Sequence, residues 1–124
     1  MTYVLWATAI ASAVTFVVHT FVGGRFVARP LLADRSLPRA SKWLNYYCWH
    51  VTTVLIGAMT MAFAWMAFTG LVAALAAVLA SIAAANAALS AGVAVRARIH
   101  PLRFPSTTLF AAVSALGWAS LFVR

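Results

Sequence analysis

Long apolar runs alternate with short basic segments along the chain. Four of the runs have about the 20 residues that a helix needs to cross a hydrocarbon core of about 30 Å. None of the four contains a charged side chain, and none shows the alternation of a transmembrane strand. Because backbone groups inside lipid must bond within the protein, the pattern predicts transmembrane helices. They cover residues 3–24, 43–68, 71–95 and 107–123.

The composition supports this prediction. The chain has 124 residues, of which 65% are hydrophobic and 8% are charged. Soluble domains are about 45–50% apolar and about 25% charged. The length suits one domain. We therefore predict an all-α integral membrane protein, in which one domain of residues 1–124 forms an antiparallel, up-and-down bundle of four transmembrane helices.

The positions of the basic residues predict the orientation. The net charge of +8 is typical of nucleic-acid binding, but all nine lysines and arginines lie outside the apolar runs. That distribution follows from the positive-inside rule, so nucleic acid is not an expected partner. Eight of the nine lie in segments 25–42 and 96–106, and only Arg124 opposes the pattern. These segments are predicted to be cytoplasmic loops, with both termini outside, in a multi-pass protein of the bacterial cytoplasmic membrane.

Three positions are predicted to mark helix ends. Gly23 and Gly24 are expected to close the first helix, because glycine adopts the left-handed conformation cheaply. Gly70 is expected to form a tight outer turn that makes the second and third spans adjacent. Ser106 is the predicted N-cap of the fourth helix.

Small and weakly polar residues recur at helical spacing and predict the packed faces of the spans. Thr15, Thr53 and Asn86 are expected in the polar interior. The third span contains twelve alanines between residues 71 and 95, so it can contact both neighbours or a second subunit. The predicted interior stripes are Thr8, Ser12, Thr15, His19 and Gly23 on the first span, and Tyr46, His50, Thr53, Gly57, Thr60 and Ala64 on the second.

The histidines are the main candidates for chemistry. His19 and His50 fall on the two stripes, roughly 7–8 Å and 12 Å from the cytoplasmic edge at about 1.5 Å per residue. His100 lies in the second basic segment. Ionisable residues inside spans usually face the bundle interior or a cavity. Three roles are open: hydrogen bonds between helices to Thr, Ser or Asn86, a site for a metal, haem or polar headgroup, or proton conduction.

A cofactor site would have limited chemistry. Imidazoles without a nearby thiolate suit zinc, copper, iron or nickel. His19 and His50 are candidate axial ligands of a haem b. With His100 they are candidates for a three-histidine zinc site, with Asp34 as a supporting carboxylate. Cys48 faces away from His50 on a helix, and the neighbouring Trp49 is interpreted as an interface anchor or lipid-facing side chain.

The basic residues next to the spans are candidates for lipid contact. Arg25, Arg29 and Lys42 are predicted to touch anionic headgroups, where each is worth about 1 kcal/mol. The lipid bilayer and its anionic lipids are therefore expected partners.

The sequence favours a small, non-catalytic component of the membrane. It contains one acidic residue, no nucleotide-binding motif and no Ser–His–Asp set. The leading prediction is a subunit or homo-oligomer with a histidine-containing polar interior on the cytoplasmic side. One alternative is a haem- or metal-binding redox or enzymatic protein that uses His19 and His50. The other is a small-solute transporter or channel.

Overall fold

A computed structural model describes residues 2–123, which form four helices and connecting segments without a strand. A single 3₁₀ turn, Pro101–Arg103, precedes the last helix. Arg124, the basic residue that opposes the charge pattern, lies outside the described residues. The helices are α1 (Thr2–Ala33), α2 (Arg39–Thr69), α3 (Ala73–Arg96) and α4 (Pro105–Ala119).

Within the described residues, α1, α2 and α3 are long and apolar enough to cross a membrane. Large apolar side chains such as Val54, Met61 and Phe68 are more than 70% exposed. Apolar exposure on this scale suits contact with lipid rather than water. The prediction of an all-helical chain is confirmed. The fourth helix is present, but its 15 residues are fewer than predicted.

α1 continues through Gly23 and Gly24, contrary to the prediction that it ends there. Neither glycine has a positive φ, so neither adopts the left-handed conformation that would cap the helix. Instead Val18–Ala28 is π-helical, and the N–H of Arg29 donates to the carbonyl of Gly24, five residues earlier. The predicted loop 25–42 is therefore mostly helical, and only residues 34–38 separate α1 from α2.

Asp34 organises that short connection. Its Oδ1 accepts hydrogen bonds from the Ser36 hydroxyl and the Ser36 N–H, both at 2.7 Å, and from the Leu37 N–H at 3.2 Å. The Ser36 hydroxyl is the largest cause of a pKa of Asp34 below its ordinary value. The only acidic side chain of the sequence thus forms a turn.

α1 holds the bundle together. It packs against both α2 and α4, and α4 packs against α3. α2 and α3 have little close backbone contact, contrary to the prediction that Gly70 makes them packed neighbours. Gly70 has a positive φ of 113° and Val72 is extended (φ −102°, ψ 96°), so residues 70–72 link these helices without a helical turn.

Specific contacts fix how the helices lie side by side. Between α1 and α2, and between α3 and α4, residue numbers rise along one helix as they fall along the other. The contacts are Trp6–Phe68, Ser12–Thr60 and His19–Trp49 between α1 and α2, and Ala80–Gly117 and Ser90–Thr107 between α3 and α4.

The interior stripe predicted on α1 is confirmed in its first half, where Thr8, Ser12 and Thr15 are buried. On α2 the predicted stripe is half-buried rather than fully buried, and His50 is exposed. Large apolar side chains fill the interior there, and the small and polar residues lie beside them. Two stripe residues face α1 directly: Thr60 Oγ1 donates to Ser12 Oγ at 2.9 Å, and a Cβ added to Gly57 would lie 3.5 Å from the Phe16 ring. The buried residues of α2 are Ile56, Met59, Phe63, Met66 and Ala67.

α4 begins differently from the prediction. Pro105 occupies its first position, where a missing N–H costs nothing, and Ser106 lies inside the first turn. The Ser106 hydroxyl is 2.7 Å from that of Ser90, which is also 2.8 Å from the hydroxyl of Thr107. Ser106 therefore joins α4 to α3 instead of capping its own helix.

Candidate functional site

On the basic side of the bundle, α1 contacts α2 through His19 and Trp49. The two rings stack with centroids 4.0 Å apart and planes inclined by 16°. His19 Nε2 also lies 3.3 Å from the carbonyl oxygen of Trp49. Since a carbonyl only accepts, this contact places the imidazole proton on Nε2. The hydrogen bond between helices expected for His19 is present, but its partner is a backbone carbonyl rather than Thr, Ser or Asn86.

Gly23 makes room for the same indole. A Cβ atom added to Gly23 would lie 2.5 Å from Cη2 of Trp49 and 3.0 Å from its Cζ2. The absence of a side chain therefore lets the ring slide between α1 and α2. Trp49 is half-buried and packs against α1, so its interpretation as a lipid-facing side chain is wrong, whereas the role of an interface anchor stays a prediction.

His50 lies beside this contact and not within it. Its side chain is exposed, although it was expected on the interior stripe. The imidazole meets Tyr46 edge to face, with centroids 4.5 Å apart. The reason is the rotation of α2, because Trp49 and Ile56 face α1 and turn the neighbouring His50 towards the side of the bundle.

His100 lies apart in the connection before α4. It is exposed, and its Nδ1 accepts a hydrogen bond from the N–H of Leu102 at 3.3 Å. Across residues 2–123, the His, Cys, Asp and Glu side chains form no group of three or more that could hold a metal ion. The three-histidine zinc arrangement is therefore not assembled here, and Asp34 is engaged in its own turn.

The use of His19 and His50 as axial haem ligands stays a prediction. The contacts of His19 show what would have to change before this residue could bind iron. Ligation through Nε2 requires the lone pair of that nitrogen, whereas the contact with the Trp49 carbonyl requires a proton on it. The stacked indole also covers one face of the imidazole. His19 would have to leave Trp49 before binding iron through this atom.

A cleft of about 490 Å³ opens between α1 and α2 next to His50. Its α1 wall includes Thr20, Gly24, Arg25 and Arg29, and its α2 wall includes Tyr46, Trp49, His50 and Thr53. On each helix these positions form two adjacent rows with spacings of three or four residues, so each wall is one side of its helix. The cleft joins two cationic side chains from one helix to a phenol and an imidazole from the next.

The residues predicted for the polar interior form hydrogen bonds mainly within their own helices. Thr15 is buried, and its Oγ1 donates to Ala11 O in its own helix at 2.8 Å. Thr53 donates to the Trp49 carbonyl at 3.1 Å, so this oxygen faces both Thr53 and His19. Asn86 Nδ2 donates to Ile82 O within α3 at 2.9 Å and joins no other helix.

The residues predicted to touch anionic lipid surround the end of α1. Arg25 and Arg29 line the cleft, and the Arg25 guanidinium also lies 5.7 Å from the centroid of the Phe26 ring. Lys42 Nζ donates to Leu32 O at 3.2 Å, one of the last carbonyls of α1. The lysine therefore ties the start of α2 to the end of α1.

The sequence-based reasoning missed Trp49 and the cleft. The Gly23-Gly24 pair could have indicated that a large side chain, here that of Trp49, packs closely against α1, since glycine marks a close approach as well as a helix end. One signal for the cleft was the four-residue spacing of Arg25 and Arg29, which places both on one face of a continuing helix.

Comparisons with known protein families, with curated proteins and with solved structures give no match. The proposals below therefore rest on the geometry of this chain.

Proposed function

We propose that this chain is a small, non-catalytic, multi-pass component of the bacterial cytoplasmic membrane that acts as a homo-oligomer or as a subunit of a membrane complex. The observation that carries the proposal is the outer face of α3. Ala84, Ala88 and Gly92 follow one another at intervals of four residues, and all three are exposed. A Cβ added to Gly92 would meet nothing within 4 Å.

Small residues on the outer face of a helix favour its association with another helix in lipid. Lipid chains are as apolar as leucine, so burying apolar surface does not drive helices together there. Close approach of the backbones does drive helices together in lipid, and small residues permit that approach. The adjacent face of α3 already uses this principle, because Ala76, Ala80 and Ala83 are fully buried and Ala80 touches Gly117 of α4. The outer face offers a second helix the same approach.

We propose that all four helices cross the membrane in an antiparallel bundle. The contacts between α1 and α2 and between α3 and α4, in which residue numbers run in opposite directions, support this topology. α4 lies along α3 from Ser90 to Ala80, which is a large part of the length of α3. The basic ends of α1 and α3 would then share the cytoplasmic side, with both termini outside.

In this orientation the His19–Trp49 contact and the cleft lie towards the cytoplasm. Arg25 follows a charge-free run of 24 residues, and His19 precedes it by less than two turns. The histidine-containing polar region is then a structural and binding feature of the cytoplasmic half, close to where partner proteins reach the membrane.

Disulfide crosslinking tests the proposal in native membranes. The exposed Cys48 is first replaced by serine, and Ala88→Cys is then introduced on α3. Oxidation should give a disulfide-linked dimer if two copies meet at this face, or a shifted band with another protein if the chain is a subunit.

Val54→Cys is the matched control, since Val54 lies on α2, is 71% exposed, and is as apolar as the α3 face. It should crosslink much less than Ala88→Cys. Equal crosslinking at both positions would indicate random collision and would contradict an α3 interface, as would the absence of any product at Ala84, Ala88 and Gly92.

A further inference from the structure

The cleft between α1 and α2 lies where both helices pass from charged to uncharged sequence. α1 has 32 residues, which at about 1.5 Å each exceeds a hydrocarbon core of about 30 Å. Its last turns, from Gly24 onward, therefore extend into the headgroup layer. α2 enters the same layer just after Lys42, its last charged residue. The cleft thus opens at the level of lipid phosphate groups.

The charge lining the cleft is positive and lacks an acidic neighbour. Arg25 and Arg29 both line it, and the only acidic side chain of the sequence, Asp34, accepts three hydrogen bonds from Ser36 and Leu37. Guanidinium groups bind phosphate oxygens with two parallel N–H donors. Two of them at a spacing of four residues offer a phosphate group donors from one helix face.

The opposite wall supplies neutral polar groups. The exposed imidazole of His50 and the phenol of Tyr46 lie edge to face, so both reach the space in front of α1. Thr20, on the α1 wall, has a buried Oγ1 with no hydrogen-bond partner. An unpaired buried hydroxyl costs free energy, and rotation about χ1 would let it donate to a ligand oxygen in the cleft.

The cleft is open because of the local backbone. A Cβ added to Gly24 would meet nothing within 4 Å, so this position borders free space. Gly24 lies in the π-helical segment Val18–Ala28, and π-helical turns are frequent at functional sites. The same segment places Gly23 against Trp49, which fixes the α2 wall.

We propose that this cleft binds the phosphate group of an anionic membrane lipid, with Arg25 and Arg29 as its charged donors and Tyr46, His50 and Thr20 as neutral ones. Phe21 and Leu32 on the rim offer apolar surface to the acyl chains. The inference depends on the membrane location but not on the α3 interface, so failure of the oligomer leaves it intact.

Native mass spectrometry of the purified full chain tests the site with dioleoyl phosphatidylglycerol as the probe and dioleoyl phosphatidylcholine as the neutral comparison. Arg25→Gln with Arg29→Gln should weaken retention of the anionic lipid by about tenfold or more, since each basic residue near a headgroup contributes about a factor of five. Arg96→Gln with Arg103→Gln removes the same charge outside the cleft, and we expect less than a threefold change.

A second variant blocks the space without changing charge. Gly24→Leu should weaken retention of the anionic lipid, whereas Ala33→Leu, at the exposed end of α1, should not. Each variant is first checked for folding by size-exclusion chromatography. Equal losses from the two arginine pairs, or full retention by folded Gly24→Leu, would show nonspecific attraction and overturn the site.

The source of the phosphate is tested separately. Inorganic phosphate is titrated against protein freed of lipid, and thermal stability is followed. We expect no saturable stabilisation at millimolar phosphate, because a lipid also requires its chains on the apolar rim. Saturable stabilisation that Arg25→Gln with Arg29→Gln abolishes, without selective retention of phosphatidylglycerol, would overturn the lipid as the ligand.

Discussion

The indole of Trp49 and the imidazole of His19 stack at a centroid distance of 4.0 Å and join α1 to α2. The carbonyl of the same tryptophan faces His19 Nε2 at 3.3 Å. One residue of α2 therefore contacts His19 with both its side chain and its backbone, and Gly23, one turn further along α1, leaves room for the ring.

The two neighbouring glycines of α1 should respond differently to the same change. Gly23→Ala places a Cβ 2.5 Å from the indole, so Trp49 must shift and its stacking on His19 is disturbed. We expect a loss of about 1–3 kcal/mol in stability. Gly24→Ala meets nothing within 4 Å, and alanine suits a helix better than glycine. Thermal unfolding in detergent, followed by tryptophan fluorescence, measures both. Equal stability of the two variants would contradict the close approach of Trp49.

Substitutions of His19 and His50 should also differ in their effect on thermal stability. His19→Gln removes a stacked ring between helices, whereas His50→Gln changes an exposed side chain. We expect a lower midpoint of thermal unfolding for His19→Gln and little change for His50→Gln. This differs from the sequence-based picture of one shared interior at similar depth. Equal destabilisation would restore that picture, and loss of a bound chromophore in both variants would support the haem hypothesis.

The contact between α3 and α4 should depend on Gly117. An added Cβ would lie 2.9 Å from Cβ and 3.5 Å from Cα of Ala80, and these atoms are fixed to the backbone. Gly117→Ala should therefore separate the helices and lower stability by about 1–3 kcal/mol. Gly57→Ala, whose added Cβ would make an ordinary contact of 3.5 Å with the Phe16 ring, is the control. Folded yield and unfolding midpoint in detergent measure the effect, and a silent Gly117→Ala would show that the helices are not closely packed there.

The sequence predicts the helices well because the apolar runs are long and free of charge. It also predicts the buried face of the first half of α1, where Ser12 and Thr15 are small enough to pack between helices. The same rule misses the innermost side chains of α2, because Met59 and Phe63 are large and apolar rather than small. The course of α1 beyond Gly23 depends on a contact with Trp49 that lies 26 positions away in the sequence. Local signals do not contain that information.

The topology can be tested by accessibility of single cysteines. In a Cys48→Ser background, a membrane-impermeant thiol reagent should label cysteines at positions 2 and 70 in intact cells and should reach positions 35 and 98 only after permeabilisation. The reason is that lysine and arginine accumulate on the cytoplasmic side. External labelling of position 35 in intact cells would reverse the orientation.

The most direct test of the central proposal, assembly through the outer face of α3, is the mass of the particle that contains the chain in its native membrane. The chain is tagged at its natural expression level, extracted with a polymer that retains surrounding lipid, and measured by mass photometry or native mass spectrometry. We expect a protein mass well above the 13.2 kDa of one chain. Ala88→Leu should reduce it to a single chain, and Val54→Leu on α2 should leave it unchanged. A wild-type particle with the mass of one chain, or an assembly that Ala88→Leu leaves intact, would contradict the proposal.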